Sequence, residues 1–75
     1  QLNNRFTVYP NPTKNQFKLN TDISIDKVEI LNLQGQVIKT FESQESYSVN
    51  DLSAGIYLVL IHSEEGKGIK KIIKN

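Results

Sequence analysis

The sequence IYLVLIHSEEGKGIKKIIK, residues 56–74, is typical of two strands joined by a tight turn and is the strongest indication of a β fold in the chain. Residues 56–61 are six apolar residues in a row, and so short an unbroken run is typical of a strand covered on both faces. Residues 63–66 have the composition of a hairpin turn, and residues 67–74 return as the last strand. The isoleucines at 69, 72 and 73 also fit helical spacing, but eight residues without a cap form a poor isolated helix. We therefore expect a central strand followed by a terminal strand.

Shorter apolar stretches separated by turn residues fill the rest of the chain. Phe6 and Val8 alternate with Thr7, and the same alternation recurs at residues 17–19, so each stretch can turn one face to a core. Further strands are expected at residues 27–33, 36–41 and 47–49, with a slip of the apolar phase after Ile30 that predicts a bulge or the start of a turn. Gly35 supplies the positive φ that a tight hairpin turn needs. The sequence thus predicts an all-β antiparallel sandwich of about seven strands.

Both prolines lie close together between the first two predicted strands. Proline lacks a backbone N–H and fixes φ near −65°, so residues 9–13 are predicted to form a corner outside any ladder.

Size and composition limit the possible functions. The 75 residues form a single domain, 1–75, of a size that buries only about 60% of the unfolded chain's surface and leaves no room for a deep catalytic cavity. The chain has no cysteine to staple it, and its formal net charge of +1 does not support a nucleic-acid partner. It begins at Gln1 without a leader or a membrane-spanning run, so we interpret it as a piece of a longer protein in which residues 1–5 are a linker remnant.

Candidate catalytic and metal sites are weak. His62 is the only histidine, and we interpret it as an exposed residue at a strand end, since catalysis needs a base, a nucleophile and an orienting group together. Asp22 and Asp26 lack the ligand pattern of a calcium loop, and Gly66 and Gly68 lack the context of a phosphate loop. The sequence therefore predicts no catalytic residue, no metal site, no cofactor and no small-molecule substrate.

The last nine residues carry four lysines and no acid, at positions 67, 70, 71 and 74. Lysines in a terminal strand can prevent a second chain from pairing with its exposed edge. They can equally form a basic strip that docks an acidic partner. Spacing alone leaves both interpretations open.

Four stretches in this order resemble the type A C-terminal sorting domain of the type IX secretion system of Bacteroidetes: VYPNPTKNQFKL, VEILNLQGQVIKT, DLSAGIYLVLI and KKIIKN. The resemblance runs from about Phe6 to Asn75 and implies a small immunoglobulin-like sandwich. The family pattern departs at Asn32, where aspartate is frequent. Carried over to this chain, the structural motif residues are Tyr9, Pro10, Asn11, Pro12 and Leu52, and the residues of translocon recognition are Gly35, Gly55, Tyr57, Lys70, Lys71 and Lys74.

The resemblance also implies a function. A domain of this family is not an enzyme but an address: its N-terminal cargo crosses the inner membrane, and the folded domain then directs export across the outer membrane. The implied partners are the outer-membrane translocon and a surface sortase-like peptidase that removes the domain. The implied location is the cell surface or the medium, reached through the periplasm. The resemblance favours docking for the terminal lysines. Two other functions remain open at this stage, an immunoglobulin-like carbohydrate-binding or adhesion module and a passive spacer.

Overall fold

A computed structural model describes residues 2–75 and contains seven strands in two sheets. The strands are β1 (Thr7–Tyr9), β2 (Gln16–Asn20), β3 (Ile25–Leu31), β4 (Val37–Glu42), β5 (Tyr47–Ser48), β6 (Gly55–Ser63) and β7 (Gly66–Lys74). One sheet has the order β1-β2-β5 and the other β4-β3-β6-β7, and all neighbouring strands are antiparallel. This arrangement confirms the all-β, immunoglobulin-like sandwich of about seven strands.

The core lies between the two sheets and is built from alternate residues of each strand. Val8 and Phe17 are buried while Thr7 and Lys18 are exposed, as the alternation predicts. Tyr47 stacks on Phe17 with ring centroids 5.3 Å apart. The remaining buried apolar side chains are five from the four-stranded sheet, Val28, Ile30, Val59, Ile61 and Ile72, and three from segments outside the strands, Phe6, Ile23 and Val49.

The β3–β4 turn confirms both predictions made for it. The pairing register shifts between Ile30 and Leu31, and the turn begins at the next residue, Asn32, so the slip of the apolar phase lies where the ladder becomes irregular and the turn starts. Gly35 has a φ of +89°, and its N–H donates to the carbonyl of Asn32. The Asn32 side chain accepts from the N–H groups of Gln34 and Gln36. Asparagine therefore performs in this turn the backbone bonding available to the aspartate of the family pattern.

Strand β6 lies between β3 and β7, which confirms its central place in the sheet. The expectation that it is covered on both faces is wrong. Val59 and Ile61 point into the core and are fully buried, whereas Leu58 and Leu60 are half-buried and Ile56 is 43% exposed. The second face of β6 is the outer surface of the four-stranded sheet, and its apolar side chains keep part of their surface exposed, as is common for apolar residues in folded proteins.

The strand registers define two ends of the sandwich. At the proximal end Ser63 pairs with Ile25 and with Gly66, and at the distal end Gly55 pairs with Lys74. Strand pairing along the whole of β7 settles the choice between strand and helix in favour of strand.

Residues predicted as a linker lie against this domain. Asn3–Arg5 form a 3₁₀ turn, Leu2 packs against the core, and the Leu2 N–H donates to the carbonyl of Lys67 at 2.9 Å. Gln1 lies outside the described residues.

Candidate functional site

Most of the predicted recognition and motif residues meet at the distal end. The Asn32–Gln36 turn lies there because Leu31 pairs with Leu58 on the Gly55 side of β6. The segment from Tyr9 to Thr13 lies there because Thr13 forms a bridge to Lys74. The predicted residues that share this end are Tyr9, Pro10, Asn11, Pro12, Gly35, Leu52, Gly55, Tyr57 and Lys74.

The Tyr-Pro-Asn-Pro segment leaves the β1 ladder and turns its asparagine onto β7. Strand β1 ends at Tyr9, as the corner prediction requires, and the two X–Pro bonds that follow are cis. The Asn11 Nδ2 donates to the carbonyl of Lys71 at 3.0 Å, and its Oδ1 accepts from the N–H of Ile73 at 2.9 Å. A carboxamide carries one donor and one acceptor side by side, so Asn11 occupies the place of a peptide unit on a neighbouring strand.

Other residues of the N-terminal segment also form hydrogen bonds with the backbone of β7, on the side away from β6. Asn3 Oδ1 accepts from the N–H of Ile69 at 2.8 Å. Thr13 donates its N–H to Ile73 and accepts from the N–H of Asn75, both at 2.8 Å. Together with Asn11, these residues satisfy backbone groups that an edge strand would otherwise expose. The N-terminal segment therefore protects this edge, which removes the need for the lysines to do so.

The terminal lysines do not form one strip. Lys70 and Lys74 share a side of β7 with Ile72, which is buried in the core, and both lysines are half-buried. Their aliphatic stems can cover the margin of the core while the ammonium groups reach water. Lys67 and Lys71 point to the opposite, outer face and are exposed.

The Leu52, Gly55 and Tyr57 element shapes the turn that leads into β6. The Tyr57 hydroxyl donates to the carbonyl of Ser53 at 2.6 Å, and the Leu52 N–H donates to the carbonyl of Val49 at 3.0 Å. Leu52 and Tyr57 also pack against the core. Gly55 has a φ of +155°, which side-chain-bearing residues rarely adopt. These contacts give all three residues a structural role at the distal end.

An ion pair ties the same turn to β4. The Lys39 Nζ lies 2.8 Å from the Asp51 carboxylate, donates to the carbonyl of Ser48 at 3.1 Å and lies 5.3 Å from the centroid of the Phe41 ring. The hydrogen bond from Lys39 holds the pKa of the Asp51 carboxyl below its ordinary value of 3.8. Lys39 therefore bridges the two sheets at one margin of the sandwich.

His62 is not the exposed residue that the sequence predicts. It lies half-buried on the outer face of β6, with its Nε2 2.6 Å from the Glu29 carboxylate. The two side chains are only 17% and 15% exposed. Glu29 comes from β3, 33 positions away in the chain, so only the pairing of β3 with β6 brings the two groups together.

The surface of residues 2–75 has no pocket, and no group of three or more His, Asp or Glu side chains there is placed to hold a metal ion. In the same range, no helix has the length and apolar character needed to cross a membrane.

The chain is thus a small immunoglobulin-like β-sandwich, and most of the residues predicted for recognition and for the structural motif lie at its distal end. Residues 7–75 match the family model described as the secretion system C-terminal sorting domain. The chain therefore belongs to this family, the C-terminal sorting signals of type IX secretion, which direct proteins across the outer membrane to the cell surface or the medium.

A curated relative is the ulvan lyase NLR42 of Nonlabens ulvanivorans, which is 32% identical over 65 residues. The match covers 80% of this chain but only 12% of the lyase, so this chain spans a small fraction of that relative's length. No solved structure matches the chain.

Proposed function

We propose that residues 1–75 act as the C-terminal address of a longer exported protein, and that the folded domain is recognised by the type IX translocon of the outer membrane. The observation that carries this proposal is the family match over residues 7–75. In this proposal the cargo precedes Gln1, a surface sortase-like peptidase separates it from the domain, and the domain itself performs no catalysis.

The structure supports a division of labour among the predicted recognition residues. Gly35, Gly55 and Tyr57 shape the turns of the distal end, and Lys71 presents its charge on the outer face. Lys70 and Lys74 are half-buried on the core-facing side, where their stems can cover the margin of the core. We therefore assign direct contact with the translocon to Lys71 first, and an indirect role through the shape of the domain to the glycines and the tyrosine.

The test is the localisation of a leader-bearing fluorescent reporter fused to residues 1–75 in a Bacteroidetes host with and without a working type IX translocon. Reporter at the surface or in the medium only when the translocon works is the expected result. Reporter retained in the periplasm of both strains would contradict the proposal and favour an adhesion module or a spacer. A glycan array probed with the purified domain separates those two.

Recognition residues are better tested by point substitution than by truncation. Deleting residues 70–75 removes Ile72, which is 1% exposed, together with much of the β6–β7 ladder. Such a truncation would stop export through unfolding alone. Lys71→Gln keeps the backbone and the core intact and tests the charge directly, with the thermal unfolding midpoint as the control for folding.

A further inference from the structure

Large exposed apolar side chains are segregated within residues 2–75. Three of them, Val37, Ile56 and Ile73, lie at the distal end of the outer face of the four-stranded sheet, where Ile56 pairs directly with Ile73. Half-buried Leu31 and Leu58 connect Ile56 to Val37 across the strands. We name these five residues the distal strip. The full set of exposed large apolar residues lies toward this end: Tyr9, Leu33, Val37, Ile38, Ile56 and Ile73.

The carboxylates are also unevenly distributed and lie mostly toward the proximal end, although the net charge is only +1. The carboxylates that lie toward the proximal end outnumber the cations there, Arg5, Lys27 and Lys67. The one carboxylate of the distal turns among residues 2–75 is Asp51, and Lys39 already pairs with it. The proximal carboxylates are Asp22, Asp26, Glu42, Glu45, Glu64 and Glu65.

Lys71 is the charge associated with the distal strip. It pairs with Leu58 in the β6–β7 ladder, so its exposed side chain lies beside the strip on the same face. The carboxylate nearest to the strip on this face is Glu29, which lies 2.6 Å from His62 Nε2. An apolar surface with an exposed cation at its margin complements a protein surface with an apolar centre and carboxylates at its margin.

We propose that the distal strip, with Lys71 at its margin, is the surface through which this domain docks on a component of the outer-membrane translocon that presents an apolar patch edged by Asp or Glu. This inference rests on the proposed function and names the contact surface for it.

The position of the N-terminal segment argues against the cargo as the occupant of the strip. Leu2 is bonded to Lys67 near the proximal end, so a cargo that precedes it is attached at the end away from the strip. A second copy fits poorly, because a symmetric pairing of two strips brings the two Lys71 side chains to the same interface. The carboxylate beside the strip, Glu29, is only 15% exposed and already contacts His62. A separate partner that has an apolar patch edged by carboxylates complements both the distal strip and the charge of Lys71.

The first test uses charge reversal with a matched control in the exported reporter. Lys71→Glu and Lys67→Glu are equal changes at exposed positions on the same face of the same strand, one beside the strip and one at the proximal end. We expect Lys71→Glu to lower export about tenfold. In a binding assay with the detergent-solubilised translocon, high salt should partly restore the binding that this variant loses. Lys67→Glu should stay within about twofold of wild type. Equal export of the two variants, each with a wild-type unfolding midpoint, overturns the proposal.

The second test identifies the occupant by photocrosslinking in cells. A photoreactive phenylalanine analogue is placed at Ile73 or Val37 on the strip, and at Glu64 in the proximal turn as the control. Crosslinks to a translocon subunit from 73 and 37 but not from 64 support the proposal. Crosslinks from 64 instead, or from the strip to a second copy or to lipid, overturn it. Failure of the unsubstituted reporter to leave the periplasm is a distinct result, because it contradicts the proposed function itself.

Discussion

Replacing Asn11 tests whether the N-terminal segment stabilises the domain by bonding to β7. Asn11→Ala removes the bonds to the Lys71 carbonyl and the Ile73 N–H, at 3.0 and 2.9 Å. Each such bond contributes about 0.5–1.5 kcal/mol net, and solvent exposure favours the lower half of that range. The expected loss is therefore about 1–2 kcal/mol. In a domain of this size that loss lowers the unfolding midpoint by about 4–16 °C.

The assay combines thermal unfolding followed by circular dichroism with amide hydrogen exchange. Asn11→Ala should lower the midpoint and reduce protection at Ile73, whose N–H loses its acceptor. Asn4→Ala is the matched control, because Asn4 is exposed and makes no side-chain hydrogen bond within residues 2–75. An Asn11→Ala midpoint within about 2 °C of wild type, with unchanged protection at Ile73, would show that the Asn11 bonds do not stabilise β7.

Three further changes test the core and the distal turn. Gly55→Val should cost about 1–3 kcal/mol because its φ is +155°, and an unchanged unfolding midpoint would contradict this. Gly68→Ala should lower the free energy of unfolding by about 1–3 kcal/mol, because its Cβ would lie 2.6 Å from the Phe6 ring. The double change with Phe6→Leu should lower it by less than the sum of the two single changes. Because Lys39 lowers the pKa of Asp51, that pair's contribution is present above pH 3.8 and is lost as the pH falls through the folded-state pKa. Lys39→Met should therefore flatten the acid side of a midpoint-against-pH curve, and an unaltered curve would count against the pair.

Strands and turns could be predicted from the sequence because their signals are local. The alternation of Phe6 and Val8 with Thr7 states directly which side chains face the core. Gly35 marks a turn by its own backbone requirement. The unbroken run at 56–61 misled because apolar residues on the outer face of a sheet give the same pattern as residues covered on both sides.

Contacts between distant segments could not be read in the same way. Asn11 bonds to residues 60 and 62 positions away, and His62 meets Glu29 only through strand pairing. The placement of the terminal lysines on opposite faces of β7, by contrast, can be predicted from local sequence. Lys70 and Lys71 are consecutive, so assigning a strand to them already requires that they point to opposite faces.

The state of the β7 edge determines how a partner can contact the terminal strand. Adding a strand to β7 would require backbone groups that Asn3, Asn11 and Thr13 already occupy. A partner that used this edge would have to displace the N-terminal segment and forfeit its bonds. The outer face carries no such covering segment among residues 2–75, and it presents Ile56, Ile73 and Lys71 side by side. Recognition through side chains of the face thus leaves the domain folded, as the proposed recognition of the folded domain by the translocon requires.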